Sequence, residues 1–191
     1  DLSPLHWPEY HLGRNVDLFG RKMAHLSQQA DRIIAISQAT ADDLTAHYPA
    51  IAGRVEVVPC GVDTAFRPVA DRAALADVRR KYGIPAPDYL LFVGTLEPRK
   101  NLVRLVEAYA ALRAAEGAAT PPLVLTGNRG WHDGPIFEAV ERKQMHDHIH
   151  FTGQVAEEDL PGLYSGAACF IYPSLFEGFG LPVLEAMMLG A

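Results

Sequence analysis

Short apolar runs alternate with longer amphipathic stretches over residues 89–191, and this alternation constrains the fold more than any other feature of the sequence. The run at 89–95 is continuously apolar, which is typical of a strand buried on both faces of a parallel sheet. Three further runs follow, each succeeded by apolar residues at helical spacing. We predict strands at 89–95, 122–127, 149–153 and 169–174, and helices at 101–116, 135–145, 157–165 and 181–189. Four such repeats indicate an α/β fold, namely half of a doubly wound domain with a parallel sheet covered by helices.

The first sixty residues carry a second, incomplete α/β pattern. Helices are predicted over residues 19–29 and 40–48, with Thr40 as the N-cap of the second, and strands over 31–37 and 54–59. We therefore predict three regions. They are an incomplete α/β unit at 1–60, a crossover at 61–88 with a short helix at 72–82, and the parallel-sheet domain at 89–191.

The composition excludes several classes of protein. The net charge is -6, so the chain as a whole lacks the basic surface that nucleic-acid binding requires. No apolar run reaches the roughly 18 residues of a membrane span, and no signal-peptide pattern occurs. We expect a cytoplasmic protein whose association with the inner face of a membrane, if any, is peripheral. The absence of an initiator methionine and the stop after a predicted helix suggest a fragment of a longer chain.

Two adjacent basic residues, Arg99 and Lys100, follow the first strand of the sheet and precede a helix for which Asn101 is the predicted N-cap. Ligands of open parallel sheets bind outside the carboxyl ends of the strands. The free N–H groups and the dipole of a helix N-terminus favour an anion there. A guanidinium beside an ammonium suits a diphosphate. The alternative is a solvated basic pair on a surface loop.

Two carboxylates flank a glycine turn in the last predicted strand–helix connection. Gly178 and Gly180 allow the backbone to approach a ligand closely, and Pro182 suits the first turn of the following helix. Glu177 lies in the loop and Glu185 about one turn inside the helix, so their oxygens can accept hydrogen bonds from the hydroxyls of a sugar. The alternative is a structural turn followed by an ordinary helical glutamate.

We predict no metal ion and no cofactor. The alternating His146, His148 and His150 share one segment without ligands from elsewhere, and we interpret them as a solvated loop. D-x-D and phosphate-binding P-loop motifs do not occur. His6 and His11 are weak candidates for a functional role.

Four segments occur in the order FVGTLEPRKN, TGNRGW, HFTGQV and PSLFEGFGLPVLEAM, and with them the chain resembles glycosyltransferase family four. DLSPLHWPEYH and ADRIIAISQATADDL resemble the end of that family's N-terminal domain, so the resemblance covers nearly the whole chain. It implies the GT-B fold, in which two Rossmann-like domains face each other, and retaining transfer from a nucleotide sugar. Residues 1–60 would end the acceptor-side domain, and residues 89–191 would be a donor-binding domain truncated at its C-terminus.

The resemblance also implies roles for single residues. Arg99 and Lys100 would hold the donor diphosphate and stabilise the leaving nucleotide. Glu177 would contact the transferred sugar, and Glu185 would accept hydrogen bonds from the ribose. Many family members have arginine where this chain has Thr95, which places more weight on the Arg99–Lys100 pair. The other implied donor-binding residues are Gly94, Thr95, Gly127, Gly153, Val155, Gly178, Phe179, Gly180 and Leu181.

The resemblance therefore predicts transfer of a hexose from GDP-mannose or a UDP-hexose to a saccharide or lipid-linked acceptor, without a metal ion. Mannose comes first, because EPRKN resembles polysaccharide mannosyltransferases. We expect residues 1–191 alone to hold the donor without transferring its sugar. The alternatives are a catalytically silent nucleotide-sugar-binding module and a nucleotide-sugar epimerase or glucan phosphorylase of the same fold.

Overall fold

The computed structural model describes residues 1–191, which divide into two compact units. The first unit comprises Asp1–Gly61 and Phe176–Leu181, and the second comprises Val62–Leu175 and Pro182–Ala191. The chain thus leaves the first unit after Gly61 and returns to it only for the short segment before the last helix. The region predicted as a crossover, residues 61–88, falls almost entirely in the second unit.

The first unit combines a parallel pair of strands with helices. Its elements are α1 (Ser3–His6), α2 (Gly13–Gln29), β1 (Ile33–Ala35), α3 (Gln38–His47) and β2 (Val55–Val57). A small core fills the space between them; its buried members are Leu2, Met23, Ala35, Ala41, Leu44 and Ile51. The guanidinium of Arg54 donates to the carbonyl oxygens of Ala30 (2.5 Å) and Ser27 (2.6 Å), and thereby ties the end of α2 to the start of β2.

Helix α3 is capped by Ser37, and the prediction of Thr40 as its N-cap was wrong. Ser37 has extended backbone geometry, and its Oγ accepts a hydrogen bond from the Thr40 N–H at 3.0 Å. Both residues carry a cap-forming hydroxyl, and the sequence does not show which of them adopts the extended conformation. The preceding helix α2 also begins six residues before its predicted start at 19, at Gly13.

The second unit contains a four-stranded parallel sheet in the order β5–β4–β3–β6. Its elements are α4 (Arg72–Lys81), β3 (Leu90–Val93), α5 (Leu102–Glu116), β4 (Leu123–Thr126), α6 (Gly134–Arg142), β5 (Ile149–Gly153), α7 (Leu160–Ser165), β6 (Cys169–Phe170) and α8 (Leu181–Leu189). The α/β prediction with a Rossmann-like parallel sheet is confirmed. β6 is shorter than the predicted strand 169–174, and Pro173 within that stretch has no N–H to donate to a neighbouring strand.

Alternate side chains of the central strands enter two cores on opposite faces of the sheet. Phe92 and Leu125 pack in the core that includes residues of α5 and α6, whereas Leu91 and Val124 pack in the core that includes residues of α7 and α8. Both faces are therefore covered, which explains why these strands read as continuous apolar runs. None of the helices is long and apolar enough to cross a membrane.

Candidate functional site

The carboxyl ends of β3 and β4 stay paired beyond the strands themselves. Leu96 donates its N–H to the Asn128 carbonyl at 2.9 Å, and Gly130 donates to the Leu96 carbonyl at 3.0 Å. A Cβ at Gly127 would lie 2.0 Å from the Gly94 carbonyl oxygen, and Gly127 has a φ of +140°. Glycine is required at 127 because the backbones of the two loops touch there. The loops after β3 and β4 therefore lie directly against each other at this edge of the sheet.

A pocket of about 780 Å³ opens at this edge, within the size range of small-molecule sites. Its lining combines aromatic rings, glycines and polar groups, namely Leu96, Gly127, Asn128, Arg129, Phe137, Phe151 and Gly153. The rings of Phe137 and Phe151 lie 4.8 Å apart, and the guanidinium of Arg129 stacks 4.5 Å from the Phe137 centroid. The pocket brings together two of the implied donor-binding residues, Gly127 and Gly153.

Arg129 is held in place at the mouth of this pocket by Asp133. Its Nε donates to Asp133 Oδ2 at 2.6 Å, and a terminal nitrogen donates to Oδ1 at 3.2 Å. The hydrogen bond and the positive charge of Arg129 lower the pKa of Asp133, so the pair stays ionised at neutral pH.

The side chain of Lys100 is buried, with only 7% of the residue exposed, in a 3-10 turn (Pro98–Lys100) directly before α5. Its Nζ donates to the Tyr172 hydroxyl at 3.0 Å and lies 5.0 Å from the centre of the Tyr172 ring. Burial removes water from an ammonium group, and these two contacts compensate for part of the lost hydration energy. Lys100 is thus a positioned charge at a helix N-terminus rather than a solvated surface lysine.

Arg99 is paired with a second buried charge, Glu97. An Arg99 terminal nitrogen donates to Glu97 Oε1 at 2.7 Å, and Glu97 is 3% exposed. The carboxylate fixes the guanidinium and offsets part of its charge. Arg99 therefore has a structural ion-pair partner in Glu97, which was not predicted.

Asn101 takes the N-cap position of α5 but does not cap it with its side chain. It has a left-handed backbone (φ 59°, ψ 32°) and makes no side-chain cap hydrogen bond. Its Nδ2 instead donates to the Pro173 carbonyl at 3.2 Å. The N-cap position of Asn101 was predicted correctly, but its side chain contacts Pro173 instead of capping the helix. Asparagine tolerates left-handed geometry better than most residues, and such geometry often occurs at functional sites.

Glu185 is half-buried in α8, and its carboxylate is oriented by a tyrosine from α7. The hydroxyl of the fully buried Tyr164 donates to Glu185 Oε2 at 2.9 Å. Burial raises the pKa of Tyr164 strongly, and the negative charge of Glu185 raises it further, so the phenol remains a donor. One carboxylate oxygen is thereby fixed, which orients the other.

The segment Phe176–Leu181 is anchored in the first unit through Gly178. The Gly178 carbonyl accepts hydrogen bonds from Ser37 Oγ at 2.5 Å and Thr40 Oγ1 at 3.0 Å. A Cβ at Gly178 would lie 3.0 Å from Asp1 Cβ and 3.3 Å from Ile36 Cδ1, so a larger residue there would crowd these two side chains. Gly180 has a φ of +96°, as a glycine turn predicts.

The remaining implied residues are placed as follows. Thr95 is exposed in the loop after β3, and Gly94 ends that strand with a φ of +153°. Val155 is buried and its side chain packs in the core that contains Leu163, so only its backbone is suited to ligand contact. The ligand roles of these residues, and those of Glu177, Phe179 and Leu181, stay predictions.

Comparison with known proteins identifies the family. The family model described as glycosyl transferases group 1 matches residues 76–191, which is more than half of the chain. The chain belongs to this family. A second model, described as glycosyltransferase family 4, matches residues 2–66. The predicted relationship to these enzymes is confirmed, and each model covers one of the two α/β regions.

Relatives of this glycosyltransferase chain include two kinds of named enzyme. O-antigen chain mannosyltransferase B of Escherichia coli is 35% identical over 100% of this chain and 49% of its own length. D-inositol 3-phosphate glycosyltransferase of Salinispora arenicola (strain CNS-205) is 38% identical over 85% of this chain and 38% of its own length. The chain thus spans about half the length of the first relative and a smaller share of the second.

Solved glycosyltransferase structures share the fold. The Anabaena protein Alr3699/HepE, in complex with UDP and glucose, superposes with a TM-score of 0.75 at 21% identity over 96% of this chain and 48% of that chain. WaaG, a glycosyltransferase involved in lipopolysaccharide biosynthesis, gives a TM-score of 0.69 at 22% identity over 83% of this chain and 42% of its own. These similarities support the GT-B fold type.

Four groups at the site escaped the sequence analysis: Glu97, Tyr172, Tyr164 and the aromatic pair of the pocket. Two of them act on a predicted residue across a large sequence separation, namely Tyr172 on Lys100 and Tyr164 on Glu185. Only Glu97 left a local signal, since an acidic residue two positions before an arginine suggests a pair. The others become visible only when the sheet brings their elements together.

Proposed function

We propose that this chain forms the nucleotide-sugar-binding part of a retaining glycosyltransferase. The observation that carries the proposal is the buried ammonium of Lys100, fixed by Tyr172 at the N-terminus of α5. An anion is the natural ligand of such a group, because the charge and the helix N–H groups act in the same direction. Transfer itself is proposed for a protein that contains this chain.

The diphosphate of the donor would bind at Lys100 and the first turn of α5, with Arg99 contributing beside Glu97. α5 runs over Leu102–Glu116, so its first N–H groups have no partner within the helix. Backbone N–H groups require no reorganisation when the ligand arrives.

The nucleoside would occupy the pocket lined by Phe137 and Phe151. A base is planar and aromatic, and the two rings, which are only partly buried, can offer it stacking. Glu185 would accept hydrogen bonds from the ribose through its carboxylate, which Tyr164 holds at one oxygen. Glu177 keeps its predicted contact with the transferred sugar.

During transfer, the bond between the anomeric carbon and the diphosphate oxygen breaks while the acceptor oxygen forms a bond on the same face of the sugar. Negative charge grows on the departing diphosphate, and Lys100, Arg99 and the α5 N–H groups stabilise it more than they stabilise the bound donor. The proton of the acceptor hydroxyl passes to the departing phosphate oxygen. No metal ion enters this scheme.

Mannose is the proposed hexose and a saccharide or lipid-linked molecule the proposed acceptor. Support for mannose comes from the relatives that are named mannosyltransferases, the O-antigen enzyme at 35% identity and the serotype-specific mannosyltransferase WbdA of Escherichia coli at 33%. Both cover the whole of this chain. We accordingly propose GDP-mannose as donor, with a UDP-hexose as the competing candidate.

Calorimetric titration of GDP-mannose and UDP-glucose into the chain tests donor binding. Lys100→Met removes the ammonium and keeps the aliphatic stem. Because one charged hydrogen bond is lost, the affinity for GDP-mannose should fall by about 10- to 100-fold. Lys143→Met is the matched control, because Lys143 is exposed at the end of α6. Equal affinity in both variants and the unmutated chain would overturn the placement of the diphosphate.

Product analysis with a longer protein that contains this chain tests transfer. Mannose should appear on the acceptor, with the anomeric configuration of the donor kept. Donor binding without any transfer to a range of acceptors would favour the silent binding module instead.

A further inference from the structure

A cluster of two histidines and an aspartate lies in the first unit. His6 ends α1, and Asp43 and His47 lie one turn apart in α3. His6 Nε2 is 2.8 Å from both carboxylate oxygens of Asp43, and His47 Nδ1 is 3.2 Å from Asp43 Oδ1. One potential ligand atom from each residue lies within 4.8 Å of the others. We propose that these three side chains bind a divalent transition-metal ion, and that Zn²⁺ is the ion that fits this ligand set best.

The chemistry of this ligand set matches zinc. Two imidazole nitrogens and one carboxylate oxygen are common zinc ligands, and three protein ligands leave a fourth position for water. Ligand atoms on a tetrahedral zinc ion with bonds of about 2.1 Å lie about 3.4 Å apart. The separations from Asp43 to His6 (2.8 Å) and to His47 (3.2 Å) are slightly shorter, and all ligand atoms lie within 4.8 Å of one another. Small side-chain rotations that open the His–Asp contacts and bring the two imidazoles onto one centre would admit the ion.

The backbone that carries the cluster is well anchored. Helix α3 has a side-chain cap at Ser37 and is held in the core by Leu44. The short helix α1 is fixed at its start, where Asp1 Oδ1 accepts hydrogen bonds from the Ser3 N–H (3.1 Å) and Oγ (2.7 Å). Rigid elements of this kind bring ligands together before the ion arrives, which lowers the cost of binding.

The cluster is also accessible to solvent. The side chains of His6, Asp43 and His47 are 30%, 16% and 38% exposed. An ion can therefore enter directly, and a water molecule can complete its coordination. The alternative to a metal site is an ion-pair network in which the Asp43 carboxylate lies between the two imidazoles. Metal titration distinguishes these two arrangements.

Metal binding here has a structural consequence within the same unit. The His6 ring packs against the rings of Trp7 and Phe176, with centroids 5.3 and 5.4 Å away. Phe176 starts the segment whose Gly178 carbonyl is bound by hydroxyls at the start of α3. An ion that joins His6 to α3 would hold this segment at a second point. The proposal does not depend on the function proposed for the chain.

Cobalt and zinc titrations of the whole chain, without a polyhistidine tag and after removal of metals with a chelator, test the site. Co²⁺ should give visible absorption bands typical of four- or five-coordinate nitrogen–oxygen ligation, at one ion per chain, and Zn²⁺ should displace it. His6→Ala, Asp43→Asn and His47→Ala should each weaken Zn²⁺ binding at least tenfold. His146→Ala is the control, since exposed His146 pairs only with Glu141, at 3.1 Å, and it should change nothing.

Two outcomes overturn the proposal. One is the absence of both a Co²⁺ band and Zn²⁺ binding in the unmutated chain, which would leave an ion-pair network only. The other is Zn²⁺ binding of unchanged affinity in the His6→Ala/His47→Ala double variant. The unmutated chain decides the first outcome by itself, so a variant that fails to fold does not leave the proposal untested.

Discussion

Gly127→Ala should destabilise the second unit strongly, because the added methyl group has no room. Its Cβ would lie 2.0 Å from the carbonyl oxygen and 2.7 Å from the carbonyl carbon of Gly94. The ends of β3 and β4 must separate to relieve this contact. The φ of +140° adds backbone strain for any residue with a Cβ.

The expected magnitude follows from the contacts that separation would break. These are the backbone hydrogen bonds from Gly94 to Thr126, from Leu96 to Asn128 and from Gly130 to Leu96, at 2.9 to 3.0 Å. At about 1 kcal/mol each they sum to about 3 kcal/mol. Strain of about 1–3 kcal/mol at a disallowed φ is added to this. The free energy of unfolding should therefore fall by about 4–6 kcal/mol, which is exceptional for one methyl group.

Two glycines of the same unit separate steric conflict from strain. Gly153 has a φ of +69° and nothing within 4 Å of an added Cβ, so Gly153→Ala should cost only about 1–2 kcal/mol. Gly134 begins α6, with only a Glu138 oxygen at 4.0 Å, and Gly134→Ala should be neutral or slightly stabilising. Urea unfolding followed by circular dichroism measures all three. A Gly127→Ala variant within about 1 kcal/mol of Gly153→Ala would refute the steric argument.

Two further predictions concern single side chains. Tyr164→Phe removes the hydrogen bond from a fully buried ring to Glu185, so the free energy of unfolding in urea should fall by about 1.5–3 kcal/mol. Calorimetric titration should also show a weaker affinity for GDP-mannose. An unchanged free energy of unfolding would contradict this role of the hydroxyl. Burial, with a smaller effect of His148, lowers the pKa of His150, so the unfolded state binds a proton first and stability should fall as the pH drops below the ordinary histidine value of about 6.5. His150→Gln should flatten this decline between neutral and mildly acidic pH while His146→Gln leaves it intact, and an identical pH profile in both variants would contradict the assignment.

The order and type of the elements in the second unit could be predicted because burial on both faces leaves a local record. Strands such as Leu90–Val93 read as apolar runs, and the helices between them keep a helical spacing of apolar residues. The ends were less predictable. β6 stops before Pro173, and α2 starts in a polar stretch whose helical state depends on tertiary context.

The candidate site was predictable where its residues form a contiguous segment and not where they meet through the fold. Arg99, Lys100 and Gly127 follow strand ends, and the rule for parallel sheets points to them directly. Tyr172 on Lys100 and Tyr164 on Glu185 bridge separations of 72 and 21 residues. Such contacts leave no periodicity or spacing in the sequence, and the same holds for His6 beside Asp43.

We propose that the second unit holds a nucleoside diphosphate at Lys100 with its base in the neighbouring pocket. A crystal structure of the chain with GDP-mannose would show the nucleotide directly. We expect a diphosphate oxygen within hydrogen-bonding distance of Lys100 Nζ and of the first N–H groups of α5, and guanine against Phe137 and Phe151. A nucleotide bound elsewhere on the chain, with no contact to Lys100, would contradict it.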